Sequence, residues 1–185
     1  MKLKILVLSI LLAQTLILPA KAEDSIRNIN FNNLRYTLKE GGMGPSGNIT
    51  LKQGRYKDTD GYGFVELNSV TYQDIDGNGI EDALVILGAS GGGSGYSTHG
   101  YVFTYEHGSA RQMFYQMNFQ DMKAYGLGLV IQQTSPLSTG KLVCPGNFLL
   151  GADAVDIRLY EWNSKAFIPT RKTTLQGKQL CNLFL

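Results

Sequence analysis

The sequence has very little histidine, cysteine, tryptophan or proline: two, two, one and five residues in 185. Two histidines, His99 and His107, without a further His or Cys cluster, argue against a zinc centre and for two surface side chains. The two cysteines, Cys144 and Cys181, are not spaced as C-x-x-C, which argues against a redox or metal-binding pair. No long stretch carries the 3.6-residue apolar period, which excludes a helical bundle. No Gly-Lys-Ser/Thr follows the glycine runs, which excludes a phosphate loop.

What is present begins with Met-Lys-Leu-Lys, then an apolar run from Ile5 to Leu18, then Pro19-Ala20-Lys21-Ala22. A basic start, a short apolar core and a small-x-small end form the layout of a secretory signal, with cleavage near Ala22. The run is shorter than the roughly 20 residues that span a bilayer. The expectation is a signal peptide over residues 1–22, a single domain over 23–185, and a periplasmic or secreted location with no transmembrane segment in the mature chain. Residues 1–22 hold three lysines and no acid, so 14 basic residues face 15 acidic ones beyond them. Nucleic acid is therefore not an expected partner, because the domain has no basic surplus. In an oxidising compartment the isolated pair Cys144 and Cys181 is most simply a disulfide.

Glycine is abundant, at 22 residues, and the apolar runs between glycines are short and rich in Val, Ile, Tyr and Phe. That pattern predicts strands. Ala83 to Leu87 is continuously apolar, as in a strand buried on both faces. Phe64 to Tyr72 alternates, but neither of its faces is cleanly apolar. Tyr101 to Tyr105 and Arg111 to Met117 flank Glu106-His107-Gly108-Ser109, a hairpin signal. Val155 to Trp162 and Ala166 to Thr170 flank a second hairpin turn. Phe119 to Tyr125, ended by Gly126, reads as a short helix. The fold class expected is mostly β: an antiparallel sheet or sandwich-like single domain with at most one or two short helices.

One segment carries specific chemistry. Asp74-Ile75-Asp76-Gly77-Asn78-Gly79-Ile80-Glu81-Asp82 places oxygen side chains at loop positions one, three, five and nine. Calcium takes six to eight oxygen ligands at about 2.3–2.6 Å. Asp74, Asp76 and Asn78 converge if the chain curls, and Gly77 and Gly79 permit that curl. The carbonyl of Ile80 supplies a backbone ligand and Asp82 closes the site. Ile75 is expected to turn into the core. Position twelve, where an EF-hand needs a bidentate acid, is Val85. The bland alternative is an Asp/Asn/Gly turn without metal. Asp58-Thr59-Asp60-Gly61-Tyr62-Gly63-Phe64-Val65-Glu66 echoes the glycine spacing, but tyrosine replaces asparagine, so a hairpin turn is expected there.

Asp-x-Asp-Gly-Asn-Gly-x-x-Asp followed by an apolar strand resembles the calcium loop of FG-GAP and VCBS-type extracellular β modules. The resemblance implies a structural calcium held by Asp74, Asp76, Asn78, Ile80 and Asp82. Residues from about Leu34 to Met117, through Ile49 to Tyr56, the loop, Gly92-Gly93-Ser94-Gly95 and Tyr101-Val102-Phe103, also resemble a group of exported bacterial proteins without an assigned reaction. Only one full loop is present, and the chain is too short for a propeller of several blades.

Gly88-Ala89-Ser90-Gly91-Gly92 matches Gly-x-Ser-x-Gly and follows a buried strand, as a hydrolase nucleophile would. No helix signal follows it, however, and the better reading is a glycine-rich loop from Gly88 to Gly100. Tyr96, Tyr101, Tyr105, Phe114, Tyr115, Tyr125, Tyr160 and Trp162 offer a glycan-binding face or ordinary strand packing. The functional expectation is a non-catalytic exported protein with a structural calcium loop, binding an envelope partner or glycan through the Gly-rich loop. The alternatives are a Ser90 hydrolase or glycan-active enzyme, and a metal-free partner-binding or inhibitory protein.

Overall fold

The computed structural model describes residues 25–144 and 148–182. The expected signal segment and its cleavage point lie outside the described residues. After two single 3₁₀ turns, Ile26–Asn28 and Phe31–Asn33, the described residues form thirteen strands and one short helix. The strands are β1 (Arg35–Leu38), β2 (Gly47–Thr50), β3 (Arg55–Lys57), β4 (Phe64–Gln73), β5 (Asp82–Ser90), β6 (Ser97–Glu106) and β7 (Ser109–Met117). They continue with β8 (Asp121–Ala124), β9 (Gly128–Thr134), β10 (Leu142–Cys144), β11 (Phe148–Leu150), β12 (Ala154–Trp162) and β13 (Phe167–Gln176), followed by α1 (Lys178–Cys181).

Five strands form a central antiparallel sheet in the order β3-β4-β5-β6-β7, and four form a second sheet, β13-β12-β9-β8. Alternate residues of a strand face opposite ways, so each face of the central sheet needs its own cover. One face meets the β1–β2 hairpin and the 3₁₀ turns, burying Ile26, Phe31, Tyr36 and Leu51 against Val85, Leu87, Tyr101 and Phe103. The other meets the four-stranded sheet, burying Leu84 and Val102 against Phe119, Met122, Leu129, Ile131, Tyr160 and Phe167. That is why β5 is apolar throughout: it lies mid-sheet between two cores. Gly100 is required where the sheets approach, since a Cβ there would lie 2.4 Å from Met122 Sδ.

The mixed faces of β4 have a physical cause. Its register with β5 shifts between Leu67 and Ser69. The extra residue of a β-bulge inverts the alternation beyond it, so Val65, Leu67, Val70 and Tyr72 all join the first core.

Two expectations are corrected. Phe119 to Tyr125 contains strand β8, not a helix. Gln120 N–H donates to Gln132 O and Tyr125 N–H to Gly128 O, while Met122 is buried between the sheets. Pairing with β9 and core burial outweigh a weak local helix preference. The glycine-rich loop is shorter than expected: Gly88 to Ser90 belong to β5 and Ser97 to Gly100 to β6, leaving residues 91–96. The hairpin at His107-Gly108 has both residues left-handed, φ 48° and 84°, as a two-residue type I′ turn demands. Cys144 and Cys181 form the expected disulfide, with Cα atoms 5.5 Å apart, fastening α1 near the outer face of the four-stranded sheet. Among the described residues, no helix is long and apolar enough to cross a membrane.

Candidate metal centre

Strand β4 ends at Gln73 and β5 starts at Asp82, so the loop is a tight connection between adjacent central strands. Its curl is held by its own side chains. Asp74 Oδ1 accepts from Gly77 N–H at 2.8 Å and Asn78 N–H at 3.2 Å, and Oδ2 from Gly79 N–H at 2.9 Å. Asp76 Oδ1 accepts from Asn78 N–H at 3.1 Å. Gly77 and Gly79 have φ of 80° and 84°, the left-handed region that glycine enters without Cβ strain. Ile75 is fully buried in the core between the sheets.

This curl brings Asp74, Asp76 and Asp82 together, with one oxygen of each within 4.8 Å of the others. Ligands on opposite sides of a calcium ion lie at most about 5 Å apart, so one ion can touch all three. Asn78 stands differently: its Oδ1 accepts from Ile80 N–H at 2.7 Å and its Nδ2 donates to Asp76 Oδ2 at 3.2 Å.

Asp82 is the informative member. It is 0% exposed. Oδ2 accepts from Ile75 N–H at 3.1 Å, whereas Oδ1 is buried and no donor meets it in good hydrogen-bond geometry, the Thr104 hydroxyl approaching the carboxyl only loosely. Burial pushes its carboxyl pKa up, against the Thr104 hydroxyl and the Ile75 amide, and the charge of Asp76 adds to the rise. A buried carboxylate oxygen without a partner is costly, and a cation beside it would remove that cost.

Neighbouring elements hold the loop in ways the linear sequence does not signal. Arg27 grips Glu81 with two hydrogen bonds, Nη2 to Oε1 at 2.7 Å and Nε to Oε2 at 2.5 Å. The same guanidinium lies 4.5 Å from the centre of the Tyr72 ring. Gln73 Nε2 donates to Gly126 O at 2.8 Å, and Leu127 packs where a side chain on Gly77 would sit, 3.2 Å away. The loop therefore touches the N-terminal layer on one side and the turn of the four-stranded sheet on the other.

The Asp58 to Glu66 segment is the β3–β4 hairpin turn, where Asp58 Oδ2 accepts from Gly63 N–H at 2.8 Å. Ser90 is buried and its hydroxyl donates to Gly95 O at 2.9 Å, closing the glycine loop on itself. That loop leads into antiparallel β6 rather than a helix, so it is not the strand-turn-helix of a nucleophile elbow. His107 is exposed, but the expectation of two surface histidines fails at His99, which is 1% exposed. His99 Nε2 meets Ser97 Oγ at 3.1 Å and Nδ1 meets Tyr115 Oη at 2.7 Å. Ser97 donates to Met43 O at 2.9 Å, and Tyr115 Oη accepts from Lys39 N–H at 3.3 Å. One proton arrangement satisfies every member: Nε2 carries the proton and Nδ1 accepts from the phenol. Burial pulls the His99 pKa down. Of the aromatic residues, Tyr101, Phe114 and Tyr160 pack in the cores, whereas Tyr96 and Tyr125 are exposed on separate loops.

No family model, curated protein or solved structure matches this chain.

Proposed function

We propose that this is a non-catalytic exported β protein whose fold is stabilised by one calcium ion in the Asp74 to Asp82 loop. The observation that carries this reading is the Asp82 carboxylate, fully buried with one oxygen lacking a well-placed donor and with an oxygen within 4.8 Å of those of Asp74 and Asp76. Asp74, Asp76 and Asp82 would hold the ion, with Asn78 and the Ile80 carbonyl joining them after a small turn of the Asn78 side chain. Three carboxylates around a divalent cation leave one net negative charge and relieve their mutual repulsion. The ion's role is structural, since the loop joins two central strands and abuts both outer layers. A partner or glycan would dock at the other end of β4, where Met43, Tyr62 and Tyr96 are exposed around the residue 91–96 loop.

Thermal unfolding with calcium and with chelator tests the site. A ligand at one hundred times its Kd adds about 2.7 kcal/mol. For a chain of this size that raises Tm by about 5–11 °C. Asp76→Ala should lose the rise, and a calcium-insensitive wild type would remove the proposal. The Ser90 hydrolase alternative requires labelling by a fluorophosphonate probe that disappears in Ser90→Ala; the expected result is no labelling of either protein.

A further inference from the structure

We infer that the β12–β13 hairpin carries an oxyanion site, formed by Arg158, Arg171 and Lys172, for a phosphate or sulfate group. Arg158 stands directly opposite Lys172 in the strand register. Like charges in that position repel, so something must balance them. The protein supplies one carboxylate for two cations: Asp156, which is 1% exposed. Lys172 Nζ takes Asp156 Oδ2 at 2.8 Å and the Thr174 hydroxyl donates to Oδ1 at 2.7 Å. Arg158 Nη2 is 3.8 Å from Oδ2, beyond hydrogen-bonding distance. Its guanidinium therefore has no hydrogen-bond acceptor among the described residues.

The third cation, Arg171, is paired with Leu159 and so starts from the other face of the hairpin, but at the edge strand it lines the same hollow. The register shifts beside Leu159 and Tyr160, so that Leu159 pairs with Arg171, Tyr160 pairs with Pro169, and Thr170 is the extra residue. A bulge of this kind re-aims the side chains next to it. Arg158, Tyr160, Pro169, Thr170, Arg171 and Lys172 line one hollow of about 280 Å³. With Asp156 included, the hollow carries two net positive charges, in a chain that has no basic excess beyond residue 22. A guanidinium fork pairs with two oxygens of a tetrahedral oxyanion, and the neighbouring cations would be available to its remaining oxygens. The site lies on the four-stranded sheet and does not depend on the calcium loop.

The test is titration of the protein with inorganic phosphate and with inorganic sulfate at low ionic strength, read by amide chemical shifts. The largest shifts are expected at Arg158, Leu159 and Thr170 to Lys172. Arg158→Gln combined with Arg171→Gln should weaken binding at least ~10-fold, whereas Lys165→Gln in the same hairpin should change it less than ~2-fold. Arg158→Lys keeps the charge but loses the fork, and should weaken binding ~3-fold or more while leaving Tm in place. Equal affinity in all four proteins, or shifts scattered over surface lysines, would overturn the assignment. Vesicles containing phosphatidylglycerol and a sulfated oligosaccharide distinguish the carriers. Double-variant-sensitive capture by vesicles means a lipid headgroup, by the oligosaccharide an anionic glycan, and by neither, with phosphate binding intact, a small soluble ester.

Discussion

Acidification should loosen the contact between the Lys39 to Gly44 segment and the central sheet, through His99. The imidazole is neutral in the network that satisfies Ser97, Tyr115, Met43 and Lys39. Adding a proton at Nδ1 turns an acceptor into a donor facing the Tyr115 phenol, which must then stop donating. The phenol already accepts from Lys39 N–H, and the Lys39 ammonium lies 5.1 Å from the Tyr115 ring centre. The aromatic ring packed near the imidazole is that of Tyr115 itself, with ring centres 6.0 Å apart, and no carboxylate contacts the imidazole among the described residues. Burial holds the folded pKa below the ordinary 6.5. Because the unfolded chain takes up the proton first, this contribution is complete above pH 6.5 and is lost as the pH falls from there toward the folded pKa. The steepest loss is about 1.4 kcal/mol per pH unit, or roughly 3–6 °C in Tm per unit for a chain of this size.

Chemical denaturation at closely spaced pH values from about 7.5 to about 5.5, in saturating calcium, measures the slope. Comparison with His99→Gln isolates the histidine from carboxylates that titrate lower. Tyr115→Phe removes the donor to Nδ1, which favours the neutral ring, so its pH-dependent loss should be smaller and should level off at higher pH than in wild type. It should also cost about 1–3 kcal/mol at neutral pH by leaving a buried acceptor unmet. Nitrogen-15 shifts of the ring should report the Nε2–H tautomer at pH 7. Identical slopes in wild type and His99→Gln would refute the reasoning, as would the Nδ1–H tautomer.

Further expectations follow from other parts of the molecule. Asp82→Asn should abolish the calcium response while leaving the chelated protein at least as stable as wild type. It removes a buried charge whose partner would be the ion, and differential scanning calorimetry in both conditions reads the two effects. Reducing the Cys144–Cys181 bond, which closes a sequence separation of 37 residues, should cost about 4 kcal/mol in the chain-entropy treatment, measured by urea unfolding with and without reductant. Asp156→Ala should cost about 1–3 kcal/mol, by leaving the Thr174 hydroxyl without its acceptor and the part-exposed Lys172 and Arg158 side by side without their shared carboxylate. Gly44→Ala should lower Tm or prevent folding, since Gly44 has φ 104° and a Cβ would lie 2.7 Å from the Ser90 backbone.

The strands and turns were legible where one local rule governed them. β5 announced itself through continuous apolar residues, and the β6–β7 hairpin through His107-Gly108, because burial and left-handed glycine leave direct marks in sequence. β4 was harder to read, for its bulge moves the core residues from odd to even positions and erases the alternation. β8 was misread because four residues carry too little period to oppose a terminal glycine, and its identity comes from β9. His99 illustrates the same limit: its burial depends on Met43 and Tyr115, which are distant in sequence. The acid positions of the loop were readable because they all lie within nine residues. Arg27, 54 residues from Glu81, left no such mark, and neither did Leu127.

The loop's position has a consequence that its sequence alone does not convey. Arg27 belongs to the layer on one face of the central sheet, and Gly126 and Leu127 to the sheet on the other, yet all three contact residues 73–81. An ion that fixed Asp74, Asp76 and Asp82 would therefore fix the anchoring points of both outer layers, not only one turn. Removing it should release protection against hydrogen exchange at the 3₁₀ turns and at the Tyr125 to Leu127 turn together. The Gly91 to Tyr96 loop, at the opposite end of β4, should keep its exchange rate. If protection fell only within residues 74–82, the loop would be an isolated appendage and the calcium would not be holding the layers together.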